Sequence, residues 1–418
     1  MATEPTRSRV AEAFNPMDPE FARDPGPLLA AARRDEPVFF APAVNAWVVT
    51  RFADVEMILR DPRRFTNEDI LSIDELLSPE VRALVAGRIP MEGTLSGLDG
   101  EAHARLRRVL NHAFTTKRIA ELEVDVAELT AQLLEPFSRS GTTDLVKDLC
   151  YPLPLVTITR LIGIPDEELA MFRQGVEDWG FLTLAHVLGA DLDDQLAAAR
   201  RLIDLHDRIE ELFEERRHAP RNDLLSEIVA REQSESLTRR EMLSLVPGLF
   251  LAGHETIAQS LAMGLYQLLS DRQLWRSLVD DPGTVESVIE EMLRRDGPVF
   301  GMLRNVAEDC EIAGVAVPAG AKLYLCYWSA NLDDARYDHA DRFDVARADR
   351  LHMAFARGIH YCIGAPLARM ELRVALSALV RDYPDLRLAD GFVPTYRPLF
   401  FLRGATDLRV DSTMVFAW

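Results

Sequence analysis

The chain has 418 residues, of which 48% are hydrophobic and 27% are charged, a composition that excludes a disordered protein. Its formal net charge of −20 repels phosphate backbones, so we expect no nucleic-acid partner. No apolar run approaches the roughly 18 residues of a membrane span, and the polar N-terminus lacks the apolar segment of a signal peptide. We therefore expect a cytoplasmic protein that does not bind a membrane.

Short elements open the chain. PLLAAARRDE predicts a helix, PVFF and AWVVT predict two strands, and FADVEMILRD predicts a short amphipathic helix. Residues 67–98 lack clear periodicity, which indicates a loop region carrying Leu71 and Ile73.

Helix follows helix from about residue 100 to residue 295, with apolar side chains three and four positions apart. Thr238 and Glu241 form a capping-box pattern, and the segment after them runs without clear interruption to about Ser270. The middle of this segment is apolar nearly all round, so we expect a long helix that crosses the interior. Pro247 inside it predicts a kink or a local break.

The character changes after residue 295. GVAVPAGAKLYLCY predicts short strands with turns, and RMELRVALSALVRDY predicts a final long helix. YRPLFFLRG followed by DLRV predicts a closing segment like a β-hairpin. The fold class is α+β and mostly α, which we expect to form a single domain over residues 1–418.

Four cysteines lie far apart, at 150, 310, 326 and 362, which is no disulfide framework and favours a reducing compartment. Cys326 lies in an apolar run, and Cys150 and Cys310 have no ligand-like neighbours, so we expect all three to be inert. Cys362 lies in a glycine-rich segment just before a helix, whose dipole favours a thiolate. Gly358 and Gly364 would let the backbone approach a flat ligand closely. The alternative is a buried structural cysteine beside a helix cap.

Residues 355–364 resemble the haem-binding loop of the cytochrome P450 family, Phe-Gly-x-Gly-x-His-x-Cys-x-Gly. The matching positions are Phe355, Gly358, His360, Cys362 and Gly364. Ala356 replaces the first glycine, and alanine tolerates a positive φ poorly, which predicts a slightly altered turn. The resemblance covers nearly the whole chain. It implies the P450 fold, a haem b cofactor, and Cys362 as the ligand of the haem iron.

Glu291 and Arg294 are three residues apart and share a helix face, so they can form an ion pair. In isolation an ordinary surface pair is the favoured interpretation. The pair also resembles the family's Glu-x-x-Arg, which is buried and structural and is usually joined by a third arginine. Arg342 and Arg347 are both candidates for that third residue.

An acid and an alcohol stand side by side in the long helix, in Ala252-Gly253-His254-Glu255-Thr256. Burying an acid in an apolar helix is costly without a purpose. By resemblance, Ala252 and Gly253 line an oxygen-binding groove at the haem, Glu255 takes part in proton delivery, and Thr256 hydrogen-bonds dioxygen. In the alternative, Glu255 faces solvent and Thr256 bonds back to the backbone. We interpret His254 as structural.

Four cationic positions resemble the family's contacts to the haem propionates: His103, Arg107, Arg304 and His360. His103 and Arg107 are four apart and share a helix face. The lead-in Asp99-Gly-Glu-Ala-His103 departs from the family's usual Asp-Pro-Pro-Glu-His.

The family pattern also implies the walls of a substrate pocket, although core packing is the alternative for each of these residues. The wall residues are Leu71 or Ile73, Phe181, Leu182, Leu249, Phe300, Met302, Leu399 and Phe400.

The implied reaction is the insertion of one oxygen atom from dioxygen into a lipophilic small molecule, which we expect to belong to secondary metabolism. Electrons would come from a separate ferredoxin or flavodoxin with its reductase. A basic patch could steer this acidic partner to the protein, and its candidate members are Arg105, Arg108, Arg357, Arg369 and Arg373. The alternative is that these are ordinary scattered arginines. We expect a monomer. The alternatives are a peroxygenase driven by hydrogen peroxide and a non-catalytic haem-thiolate sensor. Glu255 and Thr256 argue against both.

Overall fold

The computed structural model describes residues 8–68, 70, 76–90, 95–139, 141–398 and 400–411. Its helices are α1 Arg9–Ala13, α2 Pro19–Arg23, α3 Gly26–Asp35, α4 Phe52–Leu59, α5 Pro79–Val85, α6 Gly100–Asn111, α7 Thr116–Leu134, α8 Pro152–Ile162, α9 Leu169–Leu188, α10 Leu192–His218, α11 Leu224–Arg231, α12 Arg239–Ser270, α13 Arg272–Asp280, α14 Val285–Asp296, α15 Tyr327–Asn331 and α16 Ala365–Asp382.

The strands are short. They are β1 Val38–Ala41, β2 Ala46–Val49, β3 Phe65–Thr66, β4 Thr142–Asp144, β5 Met302–Val306, β6 Cys310–Ile312, β7 Val315–Val317, β8 Lys322–Leu325, β9 Arg387–Leu388, β10 Tyr396–Pro398, β11 Arg403–Ala405 and β12 Arg409–Asp411. The α+β class with a dominant helical part is therefore confirmed. Among the described residues, no helix is both long enough and apolar enough to span a bilayer.

The chain forms two compact units. One combines residues 1–66, 123–154 and 255–418, and it holds every strand of the described ranges. The other combines residues 67–122 and 155–254 and is built from helices.

The strand-bearing unit is organised by a five-stranded sheet in the order β1-β2-β8-β5-β3. Only the β2–β8 pair of this sheet is parallel. Its apolar side chains share one core with α4 and with the segment before residue 355, including Phe52, Leu59, Leu323 and Met353. The sheet core thus anchors the residues that lead into the Cys362 loop at Phe355.

The end of the chain differs from the sequence prediction. β10 and β11 do form an antiparallel hairpin, with Tyr396 opposite Ala405. The DLRV segment does not extend it, because β12 pairs with β4 and β9 in a separate three-stranded sheet. The pairing with β4 joins residues more than 260 positions apart, which no local pattern can indicate.

The long helix α12 is where the sequence placed it. Its capping box is confirmed, since the Thr238 amide donates to the Glu241 carboxylate at 2.8 Å and the Glu241 amide donates to the Thr238 hydroxyl at 3.2 Å. The helix continues through Pro247 without a break. Within the helical unit, α12 lies against α8 so closely that a Cβ on Gly253 would come within 2.7 Å of Ile158 Cδ1.

Glu291 on α14 lies at the centre of a buried ion cluster. Arg294 donates to both of its carboxylate oxygens at 2.8 Å, and Arg347 Nε approaches them at 3.1 and 3.3 Å. The main-chain amide of Asp344 adds a further donor at 2.9 Å. The third arginine is thus Arg347, whereas Arg342 contributes its carbonyl oxygen, which accepts from both guanidinium groups. An ordinary surface pair is excluded, because the side chains of all three charged residues are buried.

We predict that Glu291→Ala lowers the free energy of unfolding by about 3–5 kcal/mol, because it leaves two buried guanidinium groups without their carboxylate. Urea unfolding followed by circular dichroism measures this loss. Glu286→Ala, on an exposed position of the same helix, is the matched control and should change stability by less than about 0.5 kcal/mol. Equal stability of the two variants would show that the cluster does not support the fold.

Candidate functional site

Cys362 is held in a tight loop closed by backbone hydrogen bonds. Its amide donates to the Phe355 carbonyl at 3.0 Å, and the Tyr361 amide donates to the Gly358 carbonyl at 3.1 Å. Helix α16 begins three residues later, and no side chain caps it, since Gly364 is its N-cap. The positive end of the helix dipole therefore lies next to the half-buried sulfur, where it stabilises a negative charge.

The turn keeps its left-handed backbone in spite of the missing glycine. Ala356 has a φ of 54°, so alanine adopts the conformation that glycine favours. Gly358 follows at a φ of 70°, and a Cβ there would overlap the carbonyl oxygen of Leu59 at the end of α4. Gly358 is thus required by close packing against protein backbone, where the sequence analysis explained it by the approach of a ligand.

The other three cysteines are unsuited to ligate iron. Burial raises the pKa of Cys326 to about 12, and it also raises the pKa values of Cys150 and Cys310. These thiols stay protonated near neutral pH, which agrees with the prediction that they are inert. No group of three His, Cys, Asp or Glu side chains in the described ranges could hold a metal ion by itself.

A charged network that the sequence analysis missed surrounds Phe355. The Arg369 guanidinium lies 4.5 Å above the Phe355 ring and donates to Glu290 at 2.6 and 2.9 Å. His352 contacts the same carboxylate at 3.2 Å. Burial alone would raise the pKa of Glu290, but the hydrogen bonds from Arg369 and His352 outweigh it and lower that pKa to about 2. Arg369 was expected in a basic patch for a redox partner, and its only sequence link to this loop was its position a few residues after Cys362.

The acid–alcohol pair lies on α12. Glu255 is only 9% exposed, so it does not face solvent, and Thr256 is half-buried. Ala252 lies one turn before Thr256 and is exposed, as is the apolar side chain of Leu251. Ala252 and Thr256, four residues apart, therefore lie on one face of the helix.

His254 is buried, and its ring centroid lies 6.2 Å from that of Phe250. Burial lowers the pKa of His254 to about 4, with a smaller contribution from the charge of Arg173. The ring is therefore neutral near pH 7, which suits the structural role that we expected.

The proposed propionate contacts fall into two groups. In the strand-bearing unit, Arg304 is buried on β5, donates to the Leu303 carbonyl at 2.6 Å, and meets no carboxylate within the described part of the chain. His360 is half-buried in the Cys362 loop. In the helical unit, His103 and Arg107 lie one turn apart on α6, the former buried and the latter half-buried.

Only some of the residues expected in the wall of the substrate pocket are exposed enough to contact a ligand. Phe300 is a core residue, because its ring contacts Phe14, Phe21 and Trp328. Leu182 is also fully buried. Half-buried positions, which can face a ligand, are Phe181, Leu249, Met302 and Phe400. Leu71, Ile73 and Leu399 lie outside the described residues.

Comparison with known proteins decides the family. The family model described as cytochrome P450 matches residues 178–281 and 283–386. The chain is 34% identical to nocardicin C N-oxygenase of Nocardia uniformis subsp. tsuyamanensis over 90% of this chain and 92% of that protein. It is 33% identical to vitamin D(3) 25-hydroxylase of Pseudonocardia autotrophica, with 93% and 94% covered. The crystal structure of CalO2 superposes with a TM-score of 0.86 at 30% identity, covering 96% of this chain and 99% of that one.

The chain belongs to the cytochrome P450 family. It has the P450 fold, and it is a haem-thiolate monooxygenase that uses haem b, as the resemblance had implied.

The residues of this P450 fit the haem. A thiolate ligand needs a sulfur that is accessible and electrostatically supported, and Cys362 is the cysteine placed at a helix start. A buried arginine without a carboxylate is costly, and a propionate would supply the missing anion at Arg304. These two features together provide for an iron ligand and for an acidic edge of the porphyrin.

We predict that Ala356→Val destabilises this P450 and reduces its haem content, since a β-branched side chain adopts a positive φ only with strain. The expected loss is about 1–2 kcal/mol in unfolding free energy, measured together with the ratio of haem absorbance to protein absorbance. Ala356→Gly is the control and should load haem as well as the wild type. A valine variant that matches it would refute the left-handed turn.

Proposed function

We propose that this P450 inserts one oxygen atom from dioxygen into a lipophilic small molecule of secondary metabolism, with electrons supplied by a separate ferredoxin or flavodoxin and its reductase. The observation that carries the proposal is the half-buried Cys362 in a closed loop at the uncapped start of α16. The names of the relatives support the substrate class, because one acts as an N-oxygenase of nocardicin C and another as a hydroxylase of vitamin D3.

The side chains of this protein would have distinct roles around the haem, which when bound supplies the oxidising chemistry. Cys362 would hold the iron, and Arg304 and His360, with His103 and Arg107 of the helical unit, would bind the propionates. Ala252 and Gly253 would give the cofactor a flat apolar surface. Thr256 would hold the dioxygen by its hydroxyl, and Glu255 would pass protons towards it as a general acid.

The arginines expected to steer a redox partner are mostly paired. Arg105 is bound to Glu241, Arg108 to Glu101 and Glu235, Arg369 to Glu290, and Arg373 to Glu123. Arg357 differs, because its buried Nε has no acceptor within the described ranges. Paired charges attract a partner weakly, which favours a donor that docks mainly through shape and apolar contact. Ile359 and Tyr361, both exposed on the Cys362 loop, offer such contact.

The four cysteines are all free, which is consistent with work in a reducing cytoplasm. We propose that the protein acts there as a monomer.

The alternative of a peroxygenase is less well supported. A reaction driven by hydrogen peroxide needs no proton-delivering acid, whereas this chain keeps Glu255 buried beside Thr256 on an otherwise apolar helix.

We predict that Cys362→Ser abolishes the reduced carbon-monoxide absorption band typical of thiolate ligation, because a serine oxygen donates far less charge to iron. Difference spectroscopy of the purified protein measures it. Cys310→Ser, at a partly exposed cysteine, should keep the band. Retention of the band in Cys362→Ser would exclude this sulfur as the ligand.

We predict that Thr256→Ala binds haem normally but releases about tenfold more hydrogen peroxide per electron pair consumed, since dioxygen loses the hydroxyl that holds it for Glu255, the general acid, whose contribution is about 10²–10⁴ in rate. The assay uses whichever lipophilic compound, from a panel including vitamin D3, shifts the ferric spin state most. Ser260→Ala removes a hydroxyl one turn further along α12, and it should stay coupled. Full coupling in Thr256→Ala would defeat the relay.

A further inference from the structure

Gln259 lies one helical turn after Glu255 on α12, and both side chains are more than nine-tenths buried. Its Nε2 donates to Glu255 Oε1 at 3.2 Å, which is the contact that a spacing of four residues allows. Within the described part of the chain, Gln259 is the one side chain that hydrogen-bonds this carboxylate, and no arginine, lysine or histidine forms an ion pair with it there.

Among the residues that the structure describes, this contact alone orients the Gln259 amide. An ionised carboxylate only accepts hydrogen bonds, so the amide must turn its NH₂ group towards Glu255. Its oxygen, Oε1, then points elsewhere, and it is buried with no donor among the residues that the structure describes. No second side chain therefore competes with Glu255 for the amide.

A glycine on the β10–β11 hairpin makes room for the amide. Gly404 is the middle residue of β11, where it pairs with Arg397 of β10. A Cβ at Gly404 would overlap the Gln259 side chain, whose Cγ would lie only 2.6 Å away. Glycine weakens a strand, and it is found where another group approaches closely. Here the approaching group is the amide of Gln259.

Two features that each reduce stability lie in contact here: a buried amide side chain on α12 and a glycine inside strand β11. A leucine at position 259 would fill similar space without an unsatisfied polar atom. What leucine cannot supply is the N–H bond to Glu255. We propose that Gln259 is a positioning residue that fixes the Glu255 carboxylate in one orientation, with Gly404 providing the space for its amide.

The inference deepens the proposed function and rests on it, since Gln259 acts only through Glu255. In the described part of the chain, a single neutral donor holds the Glu255 carboxylate, and no cationic side chain competes for it. Gln259 would thus set the direction in which Glu255 acts as the general acid of the proposed function.

The experiment uses the purified haem-loaded protein and carbon monoxide as the probe, so no organic substrate is needed. The infrared stretching band of carbon monoxide in the reduced protein reports the polar groups near the dioxygen site. We expect Gln259→Met to shift and broaden this band, because Glu255 then adopts several orientations. Gln267→Met is the matched control: Gln267 is equally buried two turns further along α12, and it binds Arg295 rather than Glu255. This control should keep the wild-type band.

A double-mutant cycle separates positioning from packing. In a Glu255→Ala background, Gln259→Met should have no further effect on the band. Gly404→Ala, which displaces the amide but leaves Gln259 chemically intact, should shift the band in the same direction as Gln259→Met.

The inference is overturned if Gln259→Met keeps the wild-type band while Glu255→Ala shifts it, or if the two effects are additive. A Glu255→Ala band identical to the wild type overturns the proposed proton relay itself, and the role of Gln259 fails with it.

Discussion

Cys362, the proposed iron ligand, lies just before α16, where a thiolate would have to be kept stable, and much of the surrounding structure bears on this constraint. The helix dipole favours the charge, but only while the loop holds Cys362 at the uncapped end. Two backbone features hold it there: the bond from the Cys362 amide to the Phe355 carbonyl, and the left-handed turn at Ala356 and Gly358. Backbone geometry thus contributes to the position of the sulfur.

Two adjacent glutamates on α14, Glu290 and Glu291, form ion pairs with residues on either side of the Cys362 loop. Glu291 binds Arg294 and Arg347, and through them it fixes the carbonyl groups of the segment before the loop. Glu290 instead binds Arg369 of α16 and His352, which flank Phe355. Neighbouring residues on a helix point in different directions, so one short helix can tie together both ends of the loop. The Glu291 carboxylate is buried with both of its arginines, which makes that cluster intolerant of losing a single member, whereas Glu290 and Arg369 are only half-buried.

The sequence was informative wherever the signal is local. The capping box of α12 and the loop of residues 355–364 are both short patterns whose physics is complete within a few residues. It was uninformative where distant segments meet. The choice of Arg347 over Arg342 depends on which one the turn after Asp338 directs towards Glu291, and the core role of Phe300 depends on Phe14 and Phe21, which lie far away in sequence.

Glycines at the site show why such distant contacts matter for function. Gly253 is needed for α12 to approach Ile158, and Gly358 for the loop to approach the end of α4. Both glycines are required by contacts with other protein atoms, which do not depend on a bound cofactor. Since these close approaches already fix the backbone, the Cys362 loop and the part of α12 at Gly253 are each shaped in advance within their own unit. Less conformational entropy is then lost when haem binds, so more of the binding energy is retained as affinity. Gly404 likewise leaves room for the amide of Gln259, which donates to Glu255.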